Sequence, residues 1–303
     1  IPWLENKNNV TITETNRKEN IKNLSSKNKF HSALKIKLPK KLNFRKYSKD
    51  LLKEKFDLIV IALSLSGIDF IGKELKDLKI QIPILVLTKG LKYEKKKRKI
   101  LTISEKLNKD FKIKDISILK GPCLAKELAK ENQTSVIIAN KNINKAKKIG
   151  KIISTKYYLV EYSKDIVGVE ISSAIKNIYA MIIGAGQSLN AASNLFQKSI
   201  VEMKYLIKFF KGDVETILGL AGVGDLYVSA AGGRNSKMGS YLGKGFKFRI
   251  AKKRFMAKET VEGEQLVREI APFVLKKIDK KKIPLMINLI KTIKDNKKLN
   301  IKV

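Results

Sequence analysis

Asp57-Leu-Ile-Val-Ile-Ala-Leu63 is a run of apolar residues without polar alternation, the pattern of a strand covered on both faces. Residues 82–87 (Ile-Pro-Ile-Leu-Val-Leu), 116–119 and 135–139 repeat the style, and residues 10–13 form a shorter β-rich run. Between them, 68–78, 93–109 and 124–130 read as helical. Strand and helix in alternation predict a doubly wound α/β domain built on a parallel sheet. Beyond Tyr162 the pattern changes. From Val169 to Phe210 the period is helical, with Ile171, Ala174, Ile175, Ile178 and Ile182 on one face, and helices recur near 239–242, 260–278 and 284–295. The expected division is an α/β domain over residues 1–162 and an all-helical domain over 163–303.

The 303 residues are 44% hydrophobic, enough for a real core and incompatible with a disordered or collagen-like chain. Cys123 stands alone, so an internal disulfide and a cysteine-based metal site are both excluded, which fits a reducing compartment. No uninterrupted apolar stretch has the length of a membrane span, and Ile1-Pro-Trp-Leu-Glu-Asn-Lys7 lacks the zones of a signal peptide. A cytoplasmic chain with no membrane span is expected. The formal charge of +36 raises the possibility of a nucleic-acid binder. The chain carries 57 Lys against 7 Arg, however, and the lysines are scattered, whereas base-specific contacts rely on the arginine fork. Compositional drift explains that scatter, so no specific nucleic-acid partner is expected.

The stretch from Asp165 to Asn235 departs from that drift, with lysine only at 176, 198, 204, 208 and 211. Lys176 lies in Ile171-Ser-Ser-Ala-Ile-Lys-Asn-Ile-Tyr-Ala180, among apolar and small residues. A buried amine loses charge more readily, as a general acid or base near neutral pH requires; the alternative is a lysine that snorkels to the surface. Gly219-Leu-Ala-Gly-Val-Gly-Asp225 is glycine-rich and ends in a carboxylate, but follows a helix, so a tight helix-to-helix turn is the competing reading. Gly233-Arg-Asn235 sets a fork donor beside permissive backbone, suited to a phosphate ester. Thr88-Lys-Gly90 and Gly121-Pro122 fall at strand C-terminal ends, where α/β sheets bind ligands. His31, in a polar linker, reads as solvated; Cys123 reads as a packed small residue rather than a reactive thiol; the lysine runs 95–97 and 280–282 read as solvated faces.

Taken in order, these segments resemble the glycerol-3-phosphate dehydrogenase family that uses NAD or NADP. Thr88-Lys-Gly90, Gly121-Pro-Cys-Leu-Ala-Lys-Glu127, Asp165-Ile-Val-Gly-Val-Glu-Ile-Ser-Ser-Ala-Ile-Lys-Asn177, Gly219 to Leu226 and Gly233-Arg-Asn235 carry the likeness. The resemblance implies a Rossmann-type dinucleotide-binding domain followed by a helical substrate domain. It also implies hydride transfer between the nicotinamide and dihydroxyacetone phosphate, feeding phospholipid synthesis, and a homodimer. Lys176 would move the proton and Asp225 would hold and tune the lysine, with Ser229 and Lys89 completing the cluster. Asn177, Arg234 and Asn235 would grip the phosphate, with Gly121, Cys123 and Gly233 lining the substrate side. Ala125, Thr260, Glu262, Lys89 and Arg234 would line the cofactor.

The sequence departs from the family at Cys123 and Leu124, where Ser or Thr and Phe are usual, and at Gly233, where many members have Ser. Its start departs further. No glycine precedes Gly67, so a Gly-x-Gly-x-x-Gly turn would fall before Ile1, and an N-terminally truncated chain is expected. Residues 10–13 then read as the second strand, with Glu14 as the acidic ribose-binding position that favours NAD over NADP. Competing readings are a different Rossmann dehydrogenase of the 6-phosphogluconate-dehydrogenase-like type acting on a hydroxy acid, a basic nucleic-acid-binding protein, and an inactive truncated product.

Overall fold

A computed structural model describes residues 2–14, 29–31 and 34–301. Strands β1 (Thr11–Glu14) and β2 (Asn43–Lys46) form a parallel pair of their own. The main sheet comprises β3 (Ile59–Ile61), β4 (Ile84–Val86), β5 (Ile116–Lys120), β6 (Thr134–Ala139) and β7 (Tyr158–Ser163), in the order β7-β6-β5-β4-β3. The sheet is mixed rather than wholly parallel. β3, β4 and β5 run parallel, and β6 runs parallel to β7, but β6 pairs antiparallel with β5, with Ile138 opposite Leu119. A single helical turn, Ala125–Leu128, stands in the β5–β6 connection where a longer helix was expected, so the chain turns straight back and the strand reverses.

Both faces of this sheet are covered, which is why its strands read as unbroken apolar runs. Alternate residues serve opposite cores. Ile84, Val86, Ile116 and Ile118 face helices α1 (Ile68–Asp77) and α2 (Ile103–Phe111), and Val169 of the second domain joins that cluster. Leu85, Leu119, Val136 and Ile138 face helix α3 (Ile143–Ile153).

Residues 93–109 are not one helix. They hold a hairpin, Lys92–Glu94 against Lys99–Leu101, before α2 begins behind its Thr102/Glu105 capping box. The hairpin packs Leu91, Tyr93 and Ile100 into the core of the helical domain, and this tertiary burial outweighs the local helix signal. The run 95–97 forms its exposed tip, and Arg98 closes the turn at a φ of +50°. His31 is half-buried and accepts the Leu34 N–H on Nδ1 at 3.2 Å, so its ring has a partner and is not simply solvated.

The helical region begins with α4 (Ile166–Gly184) and α5 (Leu189–Phe209). Asp165 caps α4 through the Gly168 N–H at 2.8 Å, and also accepts from Asp213 N at 2.9 Å and Thr216 Oγ1 at 2.7 Å. After a widened turn at Leu220–Gly224 come α6 (Asp225–Ala230), α7 (Arg234–Gly243), α8 (Phe248–Phe255), α9 (Glu262–Lys277) and α10 (Pro284–Lys294). The periodicity of α4 suggests one apolar face, but residues 168–183 are buried all round, so the helix is the axis of this region. It is long and apolar enough to cross a membrane, yet here it is enclosed by the other helices. Backbone contact with α7 is direct: a Cβ on Gly239 would lie 1.9 Å from Met181 O, and one on Gly184 would lie 2.2 Å from Ser236 O.

Candidate active site

The interior of α4 places Lys176 at 5% exposure, and its Nζ finds two partners on α6. It donates to Asp225 Oδ1 at 2.9 Å and to the Ser229 hydroxyl. Asp225 and Ser229 are four apart, so both face Lys176 from one side of α6. The second Asp225 oxygen takes Lys89, which arrives from the C-terminal end of β4. One carboxylate therefore joins two lysines from two domains. Burial pulls the Lys176 pKa down to about 8, and the nearby Lys89 charge adds to this against the opposing pull of Asp225.

A second group lies one residue along α4. Asn235, buried at the start of α7, donates to Asn177 Oδ1 at 3.1 Å and accepts the Gly263 N–H on its own Oδ1 at 2.9 Å. That main-chain donor fixes which end of the Asn235 amide is oxygen. It leaves Asn177 Nδ2 without an acceptor among the described residues. Gly263 has to be glycine-sized, since a Cβ there would meet Asn177 O at 2.8 Å. Arg234 is exposed and ion-paired with Glu262 at the head of α9. Gly233 caps α7, and a Cβ on it would lie 2.7 Å from Ser229 O.

Gly121 and Cys123 follow β5. Gly121 has a φ of +127°, and a Cβ on it would meet Val136 Cα at 3.1 Å and Leu220 Cβ at 3.6 Å, so this turn lies close to the glycine-rich segment that leads into Asp225. Cys123 is exposed, contrary to the expectation of a packed residue, and desolvation pushes its thiol pKa up despite Lys89, which opposes a thiolate role. Ala125 begins the helical turn Ala125–Leu128 and Thr260 lies in the loop before α9; both are exposed. Glu14 closes β1, and its side chain lies outside the described residues.

The sequence did not single out Lys120 or Glu170. Lys120 ends β5 at 2% exposure and donates to Thr88 O at 2.6 Å and, more weakly, to Val86 O at 3.4 Å. Glu170, one and a half turns before Lys176, accepts the N–H groups of Ile103 and Ser104 at 3.1 Å each and the Ser104 hydroxyl, anchoring α2 to α4. Burial lowers the lysine's pKa and raises the carboxyl's. A lysine closing an apolar strand just before Gly-Pro was the available signal for Lys120.

The strand ends that carry Lys89 and Gly121 open toward the α4–α6 cluster. Glycines at positive φ there, with Arg234 and Glu262 across α7 and α9, provide small backbone and hydrogen-bonding side chains suited to a dinucleotide. Among the described residues no group of three or more His, Cys, Asp or Glu could hold a metal ion.

A sheet domain delivering ligand-binding loops onto a buried lysine of a helical domain is the arrangement of a two-domain, dinucleotide-dependent dehydrogenase. Residues 3–146 match the family described as NAD-dependent glycerol-3-phosphate dehydrogenase N-terminus, and residues 165–302 match its C-terminus counterpart. The chain belongs to this NAD(P)-dependent glycerol-3-phosphate dehydrogenase family. It is 32% identical over 259 residues to the NADP(+)-dependent glycerol-3-phosphate dehydrogenase of Archaeoglobus fulgidus, covering 81% of this chain and 76% of that one. It is 34% identical to the glycerol-3-phosphate dehydrogenase [NAD(P)+] of Ligilactobacillus salivarius over 56% of this chain, and spans about half (52%) of that enzyme. The crystal structure of glycerol-3-phosphate dehydrogenase from Coxiella burnetii superposes with a TM-score of 0.85 at 21% identity, over 98% of this chain and 90% of that one, a likeness of fold.

Proposed function

We propose that the chain interconverts dihydroxyacetone phosphate and sn-glycerol 3-phosphate, with Lys176 as the general acid and base. The observation that carries this is a buried amine held on two sides, by Asp225 Oδ1 at 2.9 Å and by the Ser229 hydroxyl. An ammonium has three N–H groups, so the third is free for a substrate oxygen. When bound, the reduced nicotinamide supplies the hydride for the carbonyl carbon. As negative charge develops on the carbonyl oxygen, Lys176 gives up its proton there and recovers it from water; in reverse it takes the hydroxyl proton. Asp225 orients Lys176 and stabilises its charged form, while Lys89 holds the other carboxylate oxygen and adds positive potential.

The Asn177 amide, Asn235 and the free face of the Arg234 guanidinium hold the phosphate, so binding far from the reacting carbon aligns it. Gly121, Cys123 and Gly233 line the substrate, and Ala125, Thr260, Glu262, Lys89 and Arg234 line the cofactor. Glu14 at the end of β1 favours NAD over NADP, because a carboxylate bonds a ribose 2′-hydroxyl and repels a 2′-phosphate; tighter binding of NADPH than NADH would overturn this. The same reading extends to residues 1–162 and 163–303 as the two working domains, and to a cytoplasmic homodimer supplying glycerol 3-phosphate for phospholipid synthesis. Light scattering tests the dimer.

The deciding experiment follows NADH absorbance with dihydroxyacetone phosphate in the wild type and in Lys176→Ala. Removing the lysine should lower kcat by roughly 100- to 10,000-fold with little change in KM. Equal losses in kcat and binding would remove Lys176 from this role. A folded, NADH-binding protein that ignores the substrate would overturn the reaction itself.

A further inference from the structure

The lysine at the end of β5 has no evident place in the chemistry above, and burying it is costly. A charge out of water is compensated only by good pairing, yet no carboxylate among the described residues lies within 4.0 Å of Lys120 Nζ. Its partners are instead the main-chain carbonyls of Thr88 and Val86, at 2.6 Å and 3.4 Å. Thr88 is held a second time, since its hydroxyl donates to Leu63 O at 2.8 Å. The Thr88 carbonyl belongs to the peptide that begins Lys89, and Gly90 at a φ of +140° then turns the chain away. The Lys89 backbone is thus fixed just where its side chain must reach across to Asp225.

We propose that Lys120 is a positioning residue for this site: its amine clamps the end of β4 at Val86 and Thr88, and so holds Lys89 against Asp225. The proposal rests on the functional reading above and adds a residue to it. The connection is continuous. Lys120 holds the Thr88 carbonyl, Lys89 follows it, Lys89 takes one oxygen of Asp225, and the other oxygen takes Lys176. The clamp does not need the charge. Burial and the neighbouring Lys89 favour the neutral amine, against Glu170 and Asp225, and a neutral amine still has two N–H groups for two carbonyls.

Lys120→Met removes the donors and keeps an unbranched side chain only one heavy atom shorter. Expected is a fall of about 10-fold in kcat with dihydroxyacetone phosphate, with KM for NADH unchanged. In a Lys89→Met background the same substitution should change kcat by less than about 2-fold, because the residue it acts through is gone. An equal loss in both backgrounds, or none in either, overturns the proposal. A readout independent of turnover is the coupling between Lys89→Met and Asp225→Asn in denaturant unfolding, measured with and without Lys120→Met. The coupling should drop by more than half, and an unchanged value rejects the clamp even if the enzyme acts on some other substrate. Should Lys120→Met not fold, Lys120→Gln, which keeps an N–H donor without the charge, enters the same comparisons; it should retain most of the Lys89–Asp225 coupling, and its loss would count against the proposal.

Discussion

Asn235 and Asn177 are hydrogen-bonded at 3.1 Å across the α4–α7 contact, and Asn235 is oriented by the Gly263 N–H at 2.9 Å. Three helices therefore fix two amides whose remaining N–H groups can serve an anion. The arrangement depends on glycine backbone at Gly239 and Gly184, which lets α4 and α7 meet.

Asn235→Asp tests the phosphate reading most directly. The carboxylate still accepts from Gly263, so the helix contact persists, but it can no longer donate to Asn177 and it adds a charge facing the phosphate. KM for dihydroxyacetone phosphate should rise roughly 10- to 100-fold, the worth of a hydrogen bond to a charged group, with a smaller effect on kcat. Steady-state kinetics at saturating NADH read this. An unchanged KM would move the phosphate elsewhere.

The Lys176 pKa of about 8 gives the two directions opposite pH profiles. In the proposed role the amine carries, below about 8, the proton that ketone reduction consumes, so the reduction rate should fall as pH rises through that value. Oxidation of glycerol 3-phosphate would then need the neutral amine and should rise through the same range. Lys89→Met removes a neighbouring positive charge and should shift both inflections to higher pH. Rate–pH profiles of the wild type and Lys89→Met in both directions check this, and a shift to lower pH would contradict the cluster.

Glu202 on α5 predicts a pH-dependent stability outside the site. It is 3% exposed and accepts from Leu285 N at 2.6 Å, Met286 N at 3.1 Å and Tyr179 Oη at 3.0 Å, which ties the first turn of α10 to the central helices. Burial nevertheless pushes its pKa up to about 7. The folded state thus holds this proton more tightly than the unfolded chain. Its contribution is complete below the unfolded value near 4.5 and is lost as pH rises through about 7, amounting to ~3 kcal/mol. Glu202→Gln should flatten that slope in denaturant midpoints measured between these two pH values; an unaltered slope would assign the effect to other groups.

The candidate site had two kinds of signal in the sequence. Lys176, Asp225 and Asn235 stood out as polar groups embedded in apolar or glycine-rich sequence, whereas Asn177 came only with the family resemblance. Helices α9 and α10 were readable from their period alone. The direction of β6 was not, because apolar runs report burial and carry no information on strand polarity. The hairpin before α2 was hidden because its turn uses Arg98 at positive φ rather than glycine, and its value comes from burying Leu91 and Ile100 in a core formed far along the chain. Lys120 and Glu202 were lost in a chain where charged residues abound, and only burial sets them apart.

Gly239→Ala should separate stability from chemistry at the α4–α7 crossing. The added Cβ would lie 1.9 Å from Met181 O and 2.9 Å from the Met181 carbonyl carbon, and both are backbone atoms of a helix buried on all sides. Neither a rotamer change nor a flexible side chain can relieve the clash, so the helices must separate. Overpacking of this kind costs roughly 1–3 kcal/mol, and a forced backbone shift places this site at the upper end. The displacement also pulls Asn235 away from Asn177, so KM for dihydroxyacetone phosphate should rise together with the loss in denaturant midpoint. Gly232→Ala is the control, since a Cβ there meets nothing within 4 Å. Equal stability of the two variants would mean that α4 and α7 are not in backbone contact, and the geometry that joins the two asparagines would lose its cause.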